Sequence, residues 1–303
     1  MNGPFCLVVN PAAGRGRSLR ALAAATAALD AAAARYQASE SASLDHAREI
    51  AARAAGLGYA VVAVGGDGTA GALAGVAAGA GARYGIIPAG NGNDFARVLG
   101  IPFDAAAAAL ALTTGRERRV DLIAVSAAGQ AEITVAGSVY AGLPSVASEI
   151  ANRTRWLRGP AVYPAAALRA LAGWAPTSFR VEVGGQAREF AGYAVVVANS
   201  AYFGAGMKVA PSAEIDDGLL DVLVMTQAPR LAFLRVLLKI RSGTHIGLPQ
   251  ISQDRGREVT VTADRDLPAA ADGDTLPGAA PLRAGTPLRI RALPGALRVL
   301  APA

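Results

Sequence analysis

Unbroken apolar runs, rather than alternating ones, mark the first third of the chain. Phe5-Cys6-Leu7-Val8-Val9, Tyr59-Ala60-Val61-Val62-Ala63-Val64 and Tyr84-Gly85-Ile86-Ile87-Pro88 are short and bounded by glycine, proline or polar residues. Strands covered on both faces read this way, and such strands belong to parallel sheets. A Gly-rich loop follows each run. Next comes a stretch that predicts a helix: from Ser18, a good capping residue, through Ala34; an Ala-rich one after Gly65-Gly66-Asp67-Gly68-Thr69; and one carrying Asn93, Asp94, Phe95 and Arg97. Strand, loop and helix recurring in this order predict a parallel α/β domain over residues 1–119.

From about Val120 the rhythm changes. Short β-rich runs, such as Glu132–Val135, Phe179–Val183, Tyr193–Val197 and Leu219–Val224, are separated by Gly, Pro and Asp turns, and further strand-like runs lie at 257–263 and 286–300. Helical stretches at 160–173 and 230–241 interrupt them. A second, mainly antiparallel β-sandwich domain over 120–286 is expected, with the segment from about 287 to 303 a candidate to return to the first domain. The fold class is α/β plus β.

A length of 303 residues suits two such domains, and 52% apolar with 17% charged residues excludes a disordered chain. The alanine runs at 21–34 and 104–112 are too short or too weak to cross a bilayer, which takes about 20 strongly apolar residues. The N-terminus lacks the basic region of a signal peptide. Cys6 is the single cysteine, so no intrachain disulfide can form, and a buried thiol in a reducing compartment is expected. A cytoplasmic protein follows. Its net charge is +6 and its cations are almost all arginine, Lys208 and Lys239 being the only lysines. A basic surface suits anionic lipid. Without helix-turn-helix, zinc spacing or an aromatic stripe, no nucleic-acid partner is expected.

Ligands of open parallel sheets bind where loops leave the carboxyl ends of the strands. Glycine lets backbone approach a phosphate, and helix N-termini favour its charge. Three such loops on one edge can hold a triphosphate. The Walker pattern is excluded, since no lysine precedes position 208, and the first loop is not G-x-G-x-x-G. Phosphate charge would meet backbone amides and arginines such as Arg15 and Arg17.

Asn10-Pro11-Ala12-Ala13-Gly14, Gly65-Gly66-Asp67-Gly68-Thr69 and Pro88-Ala89-Gly90-Asn91-Gly92-Asn93-Asp94-Phe95-Ala96-Arg97 resemble the three signatures of the diacylglycerol-kinase catalytic family, which includes bacterial lipid kinases, sphingosine kinases and ceramide kinases. The resemblance implies that Asn10, Pro11, Ala12, Ala13 and Gly14, with Gly65, Gly66, Asp67, Gly68, Thr69, Ala70 and Gly71, line the phosphates of ATP. It adds Asn91, Asn93 and Asp94 to the nucleotide site, and Ser41 falls where the family has a nucleotide-contacting Thr. Asn199-Ser200-Ala201-Tyr202-Phe203-Gly204-Ala205-Gly206-Met207 and Asp216-Asp217-Gly218-Leu219-Leu220-Asp221 are similar to the family's C-domain signature. That implies a structural Mg2+ held by the Glu214 carbonyl, the Asp217 side chain and the Leu219 carbonyl. Asp272-Gly273-Asp274 corresponds to an Asp-Gly-Glu that supplies the base for the lipid hydroxyl, so Asp272, Asp274 and Asp67 are the implied catalytic residues, with a second Mg2+ bridging ATP oxygens.

Three departures stand out: Asp274 for Glu, Asn91 for Thr, and Ala70-Gly71 for Asn-Glu. An ATP-dependent diacylglycerol-type kinase, peripherally associated with the inner membrane face, is therefore the leading expectation. A sphingoid-type kinase and a non-catalytic nucleotide- or lipid-sensing homologue stay open, as does a homodimer. Trp156, Leu157 and Tyr163 beside Arg153, Arg155 and Arg158 are candidates for an interfacial patch or for packing. His46 and His245 lack metal-ligand spacing.

Overall fold

The computed structural model describes residues 4–11, 16–154, 162–272, 274–275 and 282–302. The elements in chain order are β1 (Phe5–Val9), α1 (Arg17–Ala31), β2 (Tyr36–Glu40), α2 (Leu44–Gly56), β3 (Ala60–Gly65), α3 (Asp67–Gly79), β4 (Arg83–Pro88), α4 (Asp94–Val98), α5 (Ala105–Thr114), β5 (Arg116–Ala127), β6 (Ile133–Val135), β7 (Ser138–Gly142), α6 (Leu143–Arg153), α7 (Val162–Gly173), β8 (Thr177–Val183), β9 (Gln186–Ala198), β10 (Leu220–Thr226), α8 (Arg230–Lys239), β11 (Ile251–Gly256), β12 (Glu258–Ala263), β13 (Ala269–Ala271), β14 (Asp274–Thr275) and β15 (Leu288–Ala301). They form two compact units, Met1–Leu122 with Pro294–Ala303, and Ile123–Leu293.

In the first unit the sheet runs β2-β1-β3-β4 with all pairs parallel, and Arg298 and Val299 of β15 continue it beside Arg83 and Tyr84 of β4. The apolar runs are buried along their whole length, as continuous patterning requires. β2 has no apolar run to betray it. As the outer strand beyond β1 it keeps a half-exposed Tyr-Gln-Ala-Ser-Glu sequence and is held by backbone pairing. Helices cover the sheet through small residues: α2 buries Ala47, Ile50, Ala51 and Ala54, and α5 packs Leu112 so close to β4 that a Cβ on Gly85 would lie 2.3 Å from it. α1 opens at Arg17 rather than Ser18. Gly16, at φ 82°, makes the turn, and the Ser18 hydroxyl donates to the Asn10 carbonyl instead of capping.

In the second unit the strands are antiparallel. β9 is its central strand: residues 186–192 pair with β8, while 194–198 are flanked by β7 and β10. β8 continues to β12 and the first part of β15, β10 to β11, and β7 to β13 and β14. Period-2 alternation along β9 and β10 feeds two hydrophobic clusters. Val195, Val197, Val222 and Val224 join one, and Val196, Ala198 and Leu223 join the other. The parallel α/β and antiparallel β-rich classes are those expected. Missed were β7 and α6, whose Ser-Val-Tyr-Ala-Gly-Leu-Pro junction turns on Gly142 at φ 94°; a Cβ there would sit 2.5 Å from the Tyr193 carbonyl.

Candidate active site

Two glycine loops meet at the carboxyl ends of β3 and β4. Ala89 donates its N–H to the Gly65 carbonyl at 2.8 Å, and a Cβ on Gly90 would lie 2.5 Å from the Gly66 Cα. Only glycine allows such backbone contact. Asn93, in the left-handed region at φ 52°, folds the second loop on itself: its Oδ1 accepts from Gly90 at 2.8 Å and its Nδ2 donates to the Gly90 carbonyl. Asp67 opens α3 and accepts from the Phe95 amide at 3.2 Å, tying the start of α3 to α4. α3 has no side-chain cap, so its first-turn amides are oriented toward the loop side. Beneath them the Tyr84 hydroxyl donates to the Ala70 carbonyl at 2.6 Å; burial, and secondarily the Asp67 carboxylate, push that phenol well above its ordinary range. From the start of α1, Arg17 donates to Asn91 Oδ1 at 2.6 Å.

Asn10, Arg17, Gly65, Gly66, Asp67, Gly68, Asn91 and Asn93 thus share one edge of the first unit. Pro11 follows Asn10, while Ala12, Ala13, Gly14 and Arg15 lie outside the described residues. Thr69, Ala70 and Gly71 are buried in the first turns of α3. Asp94 is buried, 3.7 Å from the Arg97 guanidinium. Ser41 is buried, and both its amide and its hydroxyl donate to the Val9 carbonyl, so it clasps β1 to β2.

In the second unit Asp272 stands at φ 47°, a conformation that Asp tolerates better than most residues. Its Oδ1 accepts from the amides of Gly137 and Ser138 and its Oδ2 from that of Ala136, each at 2.9 Å. The Gly137 carbonyl receives the amides of Asn199 and Ser200, and Asn199 Nδ2 donates to the Ala136 carbonyl. These contacts make Asp272 a brace between the β6–β7 turn and the β13–β14 turn. Sequence reasoning missed Gly137, whose added Cβ would fall 2.8 Å from Asp272 Oδ1. Asp274 begins β14 opposite Ala271; its side chain lies outside what is described.

The acidic loop does not fit the structural Mg2+. Asp217 is paired with Arg255 and takes the Leu219 amide at 2.9 Å, while Arg255 Nε donates to buried Asp221 at 3.1 Å. The Arg255 guanidinium and the Leu219 amide thus engage both oxygens of the one carboxylate in the implied ligand set.

An apolar pocket of about 820 Å³, counted to its open mouth, also lies in this unit. Ala194, Val196, Leu223 and Met225 form its floor, Leu143, Pro144, Ala147 and Ser148 of α6 one wall, and Phe233, Val236 and Leu237 of α8, with Ile240 just after it, another. Polar contact is sparse. Ser148 pairs with the Tyr140 hydroxyl at 3.2 Å, and His245 Nε2 lies 3.0 Å from the Val209 carbonyl, its buried Nδ1 unpartnered among the described residues. Burial pushes the imidazole below its ordinary value, against the hydrogen bond to Val209.

A profile described as the diacylglycerol kinase catalytic domain matches residues 4–125, and one described as the YegS C-terminal NAD kinase beta sandwich-like domain matches residues 137–301. The chain belongs to the diacylglycerol kinase family. It is 32% identical over 303 residues to a diacylglycerol kinase of Mycobacterium tuberculosis (strain ATCC 25618 / H37Rv), covering 99% of this chain and 96% of that one. It is 30% identical over 226 residues to a diacylglycerol kinase of Bacillus subtilis (strain 168), covering 72% and 73%. Its fold matches the crystal structure of a protein from Bacillus anthracis str. Sterne, proposed to be a diacylglycerol kinase, with TM-score 0.80, 23% identity and coverage of 99% and 95%. This member of the family is a lipid kinase.

Proposed function

We propose that this lipid kinase transfers the γ-phosphate of ATP to the hydroxyl of a diacylglycerol-like lipid, giving phosphatidic acid and ADP. The observation that carries this reading is the backbone contact of Gly66 with Gly90 at the ends of adjacent parallel strands, beside Asp67. Such a cradle binds phosphates through amides and helix N-termini without lysine. The lipid hydroxyl attacks the γ-phosphorus, the bond to the β,γ-bridging oxygen breaks, and Asp274 accepts the hydroxyl proton. Mg2+ would accompany the nucleotide with Asp67 as its protein carboxylate, supplying neutralisation of phosphate charge. Asp272 serves by holding the turn that carries Asp274. The apolar pocket, with so few polar partners, suits an acyl chain rather than a sugar or a nucleobase.

The test is γ-labelled ATP with Mg2+ and a panel of diacylglycerol, sphingosine and NAD in detergent micelles. Label in phosphatidic acid is expected. Label in sphingosine phosphate or NADP would replace the substrate, and ATP binding with no labelled product would replace the activity.

A further inference from the structure

Helix α8 is apolar on two sides. Phe233, Val236, Leu237 and Ile240 face the pocket, yet Leu231, Leu234 and Leu238 point outward, with Leu231 76% and Leu238 82% exposed. At 3.6 residues per turn the three leucines share one narrow stripe, with Arg230 on one flank and Arg235 and Lys239 on the other. Arg241 follows at once, and Lys208 donates its backbone amide to the Ile240 carbonyl, so both lysines of the chain gather at one end of this helix. Residues 222–253 contain no Asp or Glu, and among the described residues no ion pair involves Arg230, Arg235, Lys239 or Arg241. Exposing three leucines to water is unfavourable, and leaving a ring of cations unpaired beside them is wasteful unless one partner satisfies both.

We infer that the outer face of α8 docks flat on an anionic bilayer, with Leu231, Leu234 and Leu238 entering the acyl boundary and the flanking cations meeting lipid phosphates. A helix of ten residues, about 15 Å long, is too short to span and suited to lie in the interface. A second protein copy satisfies the leucines but brings the same cations against themselves, so charge complementarity selects the anionic surface. Because the inner face of the same helix walls the pocket, docking sets the pocket beside the layer that holds diacylglycerol. That last link rests on the lipid kinase reading; the docking itself does not.

The experiment is co-sedimentation of the full chain with vesicles of phosphatidylcholine containing phosphatidylglycerol, and with phosphatidylcholine alone. Binding to the anionic vesicles that weakens with added salt is expected. Leu231→Ser with Leu238→Ser lowers partitioning about 30-fold, and Arg235→Gln with Lys239→Gln about 25-fold at low salt. Both pairs keep wild-type turnover on a monomeric short-chain diacylglycerol and lose it on vesicle-borne lipid. Unchanged partitioning by both pairs overturns the inference. So does a dimer, seen by sedimentation, that the leucine pair breaks while vesicle binding persists. A chain that docks normally yet phosphorylates no lipid leaves docking intact and removes the kinase reading instead.

Discussion

Replacing Asp272 by Ala tests whether its carboxylate is a brace. Three backbone amides donate to it, and Ala136 and Ser138 are almost fully buried. Hydrogen bonds to a charged acceptor contribute about 1.5–3 kcal/mol each, but water can reach the part-exposed Asp272 site and recover some of that. A loss of about 3–4 kcal/mol is expected for Asp272→Ala. Asp272→Asn keeps the left-handed turn and an acceptor for Gly137 and Ser138, but sets an NH2 against the Ala136 amide; about 2 kcal/mol is expected. Buried Trp174 belongs to the second unit, so its fluorescence in urea follows the unit that carries the change, while circular dichroism follows both. A brace predicts that turnover is lost in step with stability. If both variants unfold within about 0.5 kcal/mol of wild type while Asp272→Asn abolishes turnover, the carboxylate acts in the chemistry and the bracing argument fails.

Gly90→Ala places a Cβ 2.5 Å from the Gly66 Cα, which no side-chain rotation relieves; ATP affinity measured by calorimetry should fall at least about tenfold, a difference of about 1.4 kcal/mol. Among the described residues, Arg255→Met leaves the buried Asp221 carboxylate with the Ser212 hydroxyl at 2.6 Å as its side-chain partner. Breaking a buried pair costs about 3–5 kcal/mol, reduced to about 2–3 by the partial exposure of Arg255. EDTA should leave the wild-type melting temperature unchanged, and a divalent-dependent rise would restore a metal to the acidic loop. His245 is held below its ordinary value of 6.5, so the unfolded chain takes up a proton first and stability falls as pH drops below that value, being fully present above it. His245→Gln should flatten the slope of melting temperature below about pH 6.5; an unchanged slope assigns the pH dependence elsewhere.

Local and short-range features were legible in the sequence. Unbroken apolar runs ended by glycine loops announce covered parallel strands, since burial on both faces leaves no polar alternation, and their motifs name the phosphate edge. The edge strand β2 was invisible because its pairing is backbone pairing, which any residue can supply. The motif position of Ser41 does not say which way its hydroxyl turns, and only the structure shows it donating to the Val9 carbonyl. Asp272 looked catalytic until it met amides 134–136 residues away, and Asp217 looked like a metal ligand until Arg255, 38 residues on, reached it. The leucine stripe of α8 and the acid-free stretch around it were on the page of the sequence, but a helix apolar on two sides does not declare which side is inside. Only the sheet of β9 and β10, by claiming Phe233 and Val236, leaves Leu231 and Leu238 outward. Chain order specifies each element through its own periodicity; the partners of a carboxylate, a guanidinium or a helix face are chosen by distance in space, which local pattern does not encode.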